Sequence, residues 1–392
     1  MVASSLQCKL PPMVDKPIKI LHLIDSGGLY GAEVMLLNLV EQQINQGNQP
    51  LILSAGATGI DEKPLETEAI RRQLPLKKWR MKPGLNLSEA LRVSRFAQNE
   101  GVHVLHSHGY KFNILMGLWP KIVRRIPLVA TLHGYVNAQK YSKMWLYETL
   151  DRAVIKRMDA VAIVNPLMKE ISTVKALPFS KVWEIPNGIT MSVGESEEAQ
   201  GRMVEIEKFL ATHSPVIGIV GRLSLEKGHE LLIKATVDLV TRYPDLGVLI
   251  IGDGYERQNI TALVNRLGLD EHVCFAGYCT PIETYMRELD IVAMPSLTEG
   301  LPITLLEAMS FKKPVVASSV GGIPILLDNG RCGKIFRPGD SKEIYRAVVE
   351  VIENGTETER MVEAAYERVL NDYSATGMAS KYQALYKSVV QI

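Results

Sequence analysis

Ten short apolar runs recur along this chain, most of them closed by Gly, His, Ser or Asn and separated by segments of helix length. Five lie in the first half, at residues 18–24, 50–56, 103–109, 127–134 and 160–165. Five more lie in the second half, at 215–223, 247–254, 273–278, 291–296 and 314–322. Runs that are apolar throughout, rather than at every second position, mark strands covered on both faces, as in a parallel sheet sandwiched between helices. The rhythm therefore predicts an α/β chain with two doubly wound parallel sheets. Ligands in such folds bind beyond the carboxyl ends of the strands, so the polar residues closing these runs are the first candidates for a site.

Length supports the division. At 392 residues the chain is more than twice a usual domain of about 150 residues. Pro186-Asn187-Gly188 is a turn signal, and the tract that follows, to residue 202, is rich in Gly, Ser and Glu. The hinge is placed there, giving a first domain over residues 1–188 and a second over 189–373. The segment 374–392 has helical spacing and is expected to pack back across the hinge. Facing domains are expected to move relative to one another, with the cleft open when no ligand is bound.

No run of about 18 apolar residues could span a bilayer. The first residues lack an apolar core of signal-peptide length, and Cys8, Cys274, Cys279 and Cys332 have no CxxC or zinc-like spacing. Reduced thiols in the cytoplasm are expected. A net charge of +1 conceals an asymmetry: residues 1–190 hold 24 Lys and Arg against 15 Asp and Glu, leaving 20 against 28 for the rest. A basic first domain suits anionic lipid or a phosphorylated substrate. Two basic stretches, 71–82 and 111–125, place Trp79, Trp119 and aliphatic residues beside Lys and Arg, as an amphipathic helix at an anionic membrane surface would. For the second stretch, which lies between two strands, an ordinary covered helix is preferred.

The stretch SLTEGLPITLLEAMS, residues 296–310, sets Glu299 ahead of a helix and Glu307 inside it. Pro302 belongs in the first helical turn, where its missing N–H is not needed, so backbone donors around Gly300, Leu301, Ile303 and Thr304 would face an anion. Glu299 and Glu307 would then accept from hydroxyls on either side of that anion. The plainer reading makes both acids solvated surface charges, Glu299 merely favouring the positive helix end. Residues 221–230, GRLSLEKGHE, add Arg222 and Lys227 from a glycine-flanked loop, as neutralising a diphosphate would need.

Together with LIIGDG and FAGY between them, these stretches make the chain resemble family 4 of the retaining glycosyltransferases, whose GT-B architecture sets two Rossmann-like domains face to face across a cleft. The resemblance continues in SGGLYGAEVMLLNLVEQQINQGNQP (26–50), TLHG (131–134) and IPNGI (185–189). It implies a hexosyltransferase that uses a UDP- or GDP-sugar, retains anomeric configuration and needs no metal or other cofactor. It implies that Arg222 and Lys227 hold the donor diphosphate, that Glu299 contacts the sugar with the Gly300-Leu301-Pro302 amides nearby, and that Glu307 binds the ribose. The backbone at Tyr278 would border the base, His133 would face the reacting sugar, and Gly27 and Gly28 would let the first loop approach phosphate and acceptor. Tyr30, where the family often has another glycine, and Asn48, where histidine is frequent, depart from the pattern on the acceptor side. The acceptor is expected to be a glycan or a lipid-linked or polysaccharide chain, met in the cytoplasm or at the inner face of the membrane.

Other readings of the same residues stand beside this one. His103, His106, His108 and His133 gather at two strand ends, and His-x-His can be metal spacing. No carboxylate or cysteine supports it, so polar satisfaction in the core is preferred for all but His133, and no metal is expected. Gly27, Gly28 and Gly31 do not form G-x-G-x-x-G, and no acid closes the second strand, which argues against a nicotinamide site. A nucleotide-sugar epimerase of the same architecture explains Glu299 and Glu307 less well. A non-catalytic sugar-nucleotide or anionic-surface binder is the remaining class, and nucleic acid is not expected, because the basic half lacks interleaved aromatic stacking residues.

Overall fold

The computed structural model describes residues 16–25, 28–82, 84–134, 140–191, 204–279 and 281–390. Seven strands form the first sheet: β1 (Lys19–Ile24), β2 (Gln49–Ala57), β3 (Leu76–Met81), β4 (Val104–Ser107), β5 (Leu128–Leu132), β6 (Ala160–Ile163) and β7 (Val182–Glu184). Their order is β3-β2-β1-β4-β5-β6-β7. Six form the second: β8 (Val216–Val220), β9 (Gly247–Ile251), β10 (Val273–Gly277), β11 (Ile291–Met294), β12 (Val315–Ser318) and β13 (Lys334–Phe336), in the order β10-β9-β8-β11-β12-β13. Every pairing is parallel. The chain is thus built of two doubly wound, Rossmann-like lobes. β4, β5, β6, β9, β11 and β12 are buried at every residue, which is why apolar residues dominate them without alternating with exposed polar ones.

Three strands have no counterpart among the apolar runs: β3 (LKKWRM), β7 (VWE) and β13 (KIF). All three are sheet edges. An edge strand pairs on one side only and tolerates charge on the other, so it needs no apolar run. β3 also corrects the expectation of an amphipathic helix over residues 71–82. That stretch is a helix end followed by an edge strand, and its Trp79 donates to Glu89 at 3.1 Å and packs on Phe96. In the second basic stretch the helix Tyr110–Gly117 is buried from Phe112 to Gly117, in keeping with a covered element.

The chain passes between lobes at two adjacent places. Ile189 pairs with Ser374 in an isolated parallel bridge; its N–H donates to the Tyr373 carbonyl and its own carbonyl accepts from Ala375, both at 2.9 Å. From there the helix Ala375–Val389 returns to lie on the helix Gly31–Asn45 of the first lobe. Gln43 donates to the Tyr386 hydroxyl at 3.2 Å, and Thr376 donates to Gln42 at 3.0 Å. Among the described residues no helix is long and apolar enough to cross a membrane. The described cysteines, Cys274, Cys279 and Cys332, are free thiols.

Candidate functional site

Strand order reverses between β1 and β4 in one sheet and between β8 and β11 in the other, the positions where doubly wound sheets open a crevice. Both crevices face a single cleft of about 1140 Å³ between the lobes. Its walls include His133 and Gly28 from the first lobe and Arg222, Lys227, Tyr278, Glu299, Gly300, Leu301, Ile303, Thr304 and Glu307 from the second. Gly27 lies outside the described residues.

In the second lobe, convergence depends on one glycine. The short turn Leu225–Lys227 ends at Gly228, whose φ of +69° is left-handed and whose Cβ, were one present, would lie 2.1 Å from the Pro295 carbonyl. This contact presses the turn onto the loop after β11. Lys227 Nζ consequently reaches Glu299 Oε1 at 2.6 Å, and Ser296 donates to the same oxygen at 2.7 Å. Glu299 is therefore pinned by a cation and a hydroxyl, its side chain 9% exposed. Arg222, on the loop closing β8, donates to Glu226 at 2.9 Å and stays nearly half exposed.

The helix Ile303–Ser310 starts one residue later than expected. Pro302 is its N-cap, extended at φ −73° and ψ 120°, and Ile303 is the first helical residue. The missing N–H is harmless there too, and Ile303 and Thr304 of the first turn line the cleft. Glu307 sits inside this helix, and burial, reinforced by the charge of Glu283 and opposed by Arg72, pushes its carboxyl up to about 7. Burial likewise pushes the Tyr278 phenol up to about 12, leaving it neutral and half-exposed.

The lobes touch at the cleft floor rather than standing apart. A Cβ on Gly300 would lie 2.1 Å from the His133 carbonyl, so only glycine lets the two backbones meet there. Asn165 donates to the Gly300 carbonyl at 3.2 Å, and Asn187 donates to that of Leu301 at 2.7 Å. His133 is thereby set beside the Glu299 loop. Burial holds its imidazole down at about 4, so it is neutral at physiological pH, and its Nε2 is buried without a hydrogen-bond partner.

Behind His133 lies a histidine cluster that spacing alone did not complete. His22, His106 and His108 are fully buried, with ligand-type nitrogens within 4.8 Å of one another, the geometry of a metal group. Their nitrogens are nevertheless engaged within the protein. His22 Nε2 donates to Gln43 at 2.8 Å, leaving Nδ1 to accept from His108 Nε2 at 3.0 Å. His106 meets the hydroxyls of Tyr386 and Thr131, each at 2.7 Å, and Thr131 in turn meets Tyr382 at 2.7 Å. Of the six ring nitrogens only His108 Nδ1 is unmatched; the other five are taken up by hydrogen bonds within the core. His103 stands apart at the amino end of β1, where it accepts from the Lys19 amide at 3.0 Å.

Several cleft residues were not singled out from sequence. Arg71 and Arg72 end the helix Pro64–Arg71 and line the cleft, bound to Glu68 at 2.7 and 2.6 Å, rather than facing a membrane. Ser296 and Asn187 fix the Glu299 loop, and Tyr30, marked in the sequence only as a departure from the family's glycine pattern, enters the cleft from the first lobe. The Pro-Asn-Gly turn marked Asn187 only as a hinge; nothing in a run of basic residues distinguishes a cleft wall from an outer surface.

Comparison with known proteins is consistent with this geometry. The model of the family described as glycosyl transferases group 1 matches residues 204–368, and that of glycosyltransferase family 4 matches residues 30–193. The chain is 31% identical over 317 residues to a D-inositol 3-phosphate glycosyltransferase of Corynebacterium aurimucosum, covering 74% of this chain and 72% of that one. It is 24% identical over 385 residues to a 2-deoxystreptamine glucosyltransferase of Streptomyces kanamyceticus, covering 91% and 99%. Among solved structures, Anabaena Alr3699/HepE in complex with UDP-glucose superposes with a TM-score of 0.80 at 21% identity, over 95% of this chain and 100% of that one.

Proposed function

This chain belongs to the glycosyltransferases of group 1 and family 4, and on that premise we propose that it moves a hexosyl unit from a UDP- or GDP-sugar to a hydroxyl of a glycan or lipid-linked acceptor, retaining the anomeric configuration and requiring no metal ion. One observation carries the donor site: Lys227 and Glu299, 72 residues apart, meet at 2.6 Å on the cleft wall, with Arg222 on the same loop as Lys227. The two cations supply the charge neutralisation a diphosphate needs as it departs. Glu299 would receive sugar hydroxyls beside them, and Glu307, deeper along its helix, those of the ribose.

Retention is the outcome the family resemblance implies, and the cleft supports a route to it that uses no carboxylate nucleophile. A glycosidase that retains configuration uses a free carboxylate nucleophile. Glu299 is held by Lys227 and Ser296, which suits binding rather than attack. The bond from the anomeric carbon to the donor phosphate oxygen breaks, with its electron pair leaving on that oxygen. The acceptor hydroxyl bonds to the same face of the carbon and passes its proton to the departing phosphate. Arg222 and Lys227 stabilise the charge that develops, and neutral His133 lies at the sugar.

A docking face for an anionic membrane is proposed at the amino ends of β5, β6 and β7, away from the cleft. Ile122 and Phe179 are 83% and 87% exposed there, beside exposed Lys121, Arg125, Lys156 and Arg157. Bonds from Arg157 to the Leu118 carbonyl and from Lys181 to that of Met158 join these segments into one surface. Apolar tips within a basic rim match an anionic bilayer.

Calorimetry with UDP, GDP and ADP tests the donor site, and the anomeric configuration of the product, read by NMR, tests the chemistry. Lys227→Ala is expected to lower kcat by about 10²- to 10³-fold. Full activity in that variant, an inverted product, or activity abolished by chelators would each overturn a part of the reading. Co-sedimentation with phosphatidylglycerol vesicles, weakened by salt and by Ile122→Asp with Phe179→Asp, is expected for the docking face; equal binding by the variant would refute it.

A further inference from the structure

Tyr30 is where the sequence leaves the family's glycine pattern, and it is also where the lobes meet over the donor site. It caps the helix Gly31–Asn45 in an extended conformation, φ −117° and ψ −167°, with its N–H held by Glu33 Oε2 at 2.8 Å. The ring folds back over Gly28, close enough that a Cβ on that residue would lie 2.2 Å from a ring carbon. Held this way, it projects into the cleft and receives Arg222 of the opposite lobe, whose guanidinium carbon lies 5.5 Å from the ring centroid.

We propose that Tyr30 is a positioning residue: it seats Arg222 across the cleft by a cation–π contact and so makes the diphosphate site depend on how far the lobes are closed. This rests on the donor-site reading above. The geometry permits both roles at once. A guanidinium meets an aromatic ring with its face, while its five N–H donors lie in its plane. Seating on Tyr30 therefore leaves the in-plane donors available. One of them now goes to Glu226. A phosphate oxygen can take that donor while the ring contact persists. Because ring and cation belong to different lobes, separating the lobes takes the seat from Arg222 but leaves it beside Glu226, its partner within its own loop. Glycine at this position would offer neither the seat nor the coupling.

A double-mutant cycle on the full chain, read by calorimetry with UDP and GDP, tests the inference. Tyr30→Leu, which keeps bulk and removes the ring, is expected to weaken nucleoside diphosphate binding about two- to fivefold, the worth of one exposed cation–π contact. Tyr30→Phe is expected to recover most of that loss, since the face and not the hydroxyl meets the cation. In an Arg222→Ala background, Tyr30→Leu is expected to have no further effect. Additive losses in the cycle, or Tyr30→Phe as damaging as Tyr30→Leu, would overturn the inference while leaving the donor site intact. A wild-type chain that binds neither nucleotide would overturn both.

Discussion

Glu307→Gln separates what the folded lobe gains from what the donor needs. In the folded chain burial lifts this carboxyl from an ordinary 4.5 to about 7. Between those values the folded state holds a proton that the unfolded state has released, so stability falls as pH rises through that window. Every tenfold gain in proton affinity is worth about 1.4 kcal/mol, which makes the destabilisation about 3 kcal/mol by pH 8. Glutamine has the shape of the protonated acid and never ionises. At pH 8 the variant should therefore melt higher, by about 6–12 °C given about 2–4 °C per kcal/mol in a lobe of this size. Near pH 4.5 the two proteins should melt together. The same substitution removes a charged acceptor proposed for the ribose, worth about 1.5–3 kcal/mol, so UDP or GDP should bind at least tenfold more weakly at pH 8. Scanning calorimetry and nucleotide titration at both pH values check this. An equal offset at both, or a variant less stable at pH 8, would show that burial of an ionised carboxyl is not what raises Glu307.

The buried histidines should act in the opposite direction. His22 and His133 are held down at about 4 by burial, so their contribution is intact above pH 6.5 and lost as pH falls towards 4, up to about 3 kcal/mol each; a melting temperature flat down to pH 4.5 would refute this. Gly228→Ala should destabilise by about 1–3 kcal/mol, because φ is +69° and the Pro295 carbonyl occupies the space of a Cβ; denaturation unchanged from wild type would count against that contact. Tyr386→Phe removes the hydroxyl shared by His106 and Gln43 and should cost about 1–3 kcal/mol in urea denaturation, where no loss would mean the network adds nothing.

What the sequence made legible was whatever burial imposes on a single run of residues. β4, β5, β6, β9, β11 and β12 are covered on both faces, and their apolar runs announce them. β3, β7 and β13 are edges, free on one side, and leave no such mark. The meeting of the helix start with the Arg222–Lys227 loop on the cleft wall was legible because both are compact motifs. Contacts made by distant segments were not. Nothing in the spacing links Tyr30 to Arg222, His22 to His108, or Thr131 to Tyr382, since each pair is joined only when segments 86 to 251 residues apart are laid side by side. Arg71 and Arg72 show the converse failure. Their charge was evident, but the direction they face depends on which helix end meets the cleft.

The paired crossing at Ile189 and Ser374 fixes the mechanics of the molecule. A body tethered to another by one strand can swing and twist; one tethered by two strands bonded side by side keeps little beyond rotation about the short line through them. Tyr382 and Tyr386 anchor the far end of the second tether deep in the opposite body. The axle therefore runs close to the floor where Gly300 meets His133, so a turn about it shifts that floor hardly at all and parts the facing walls more the farther they lie from it.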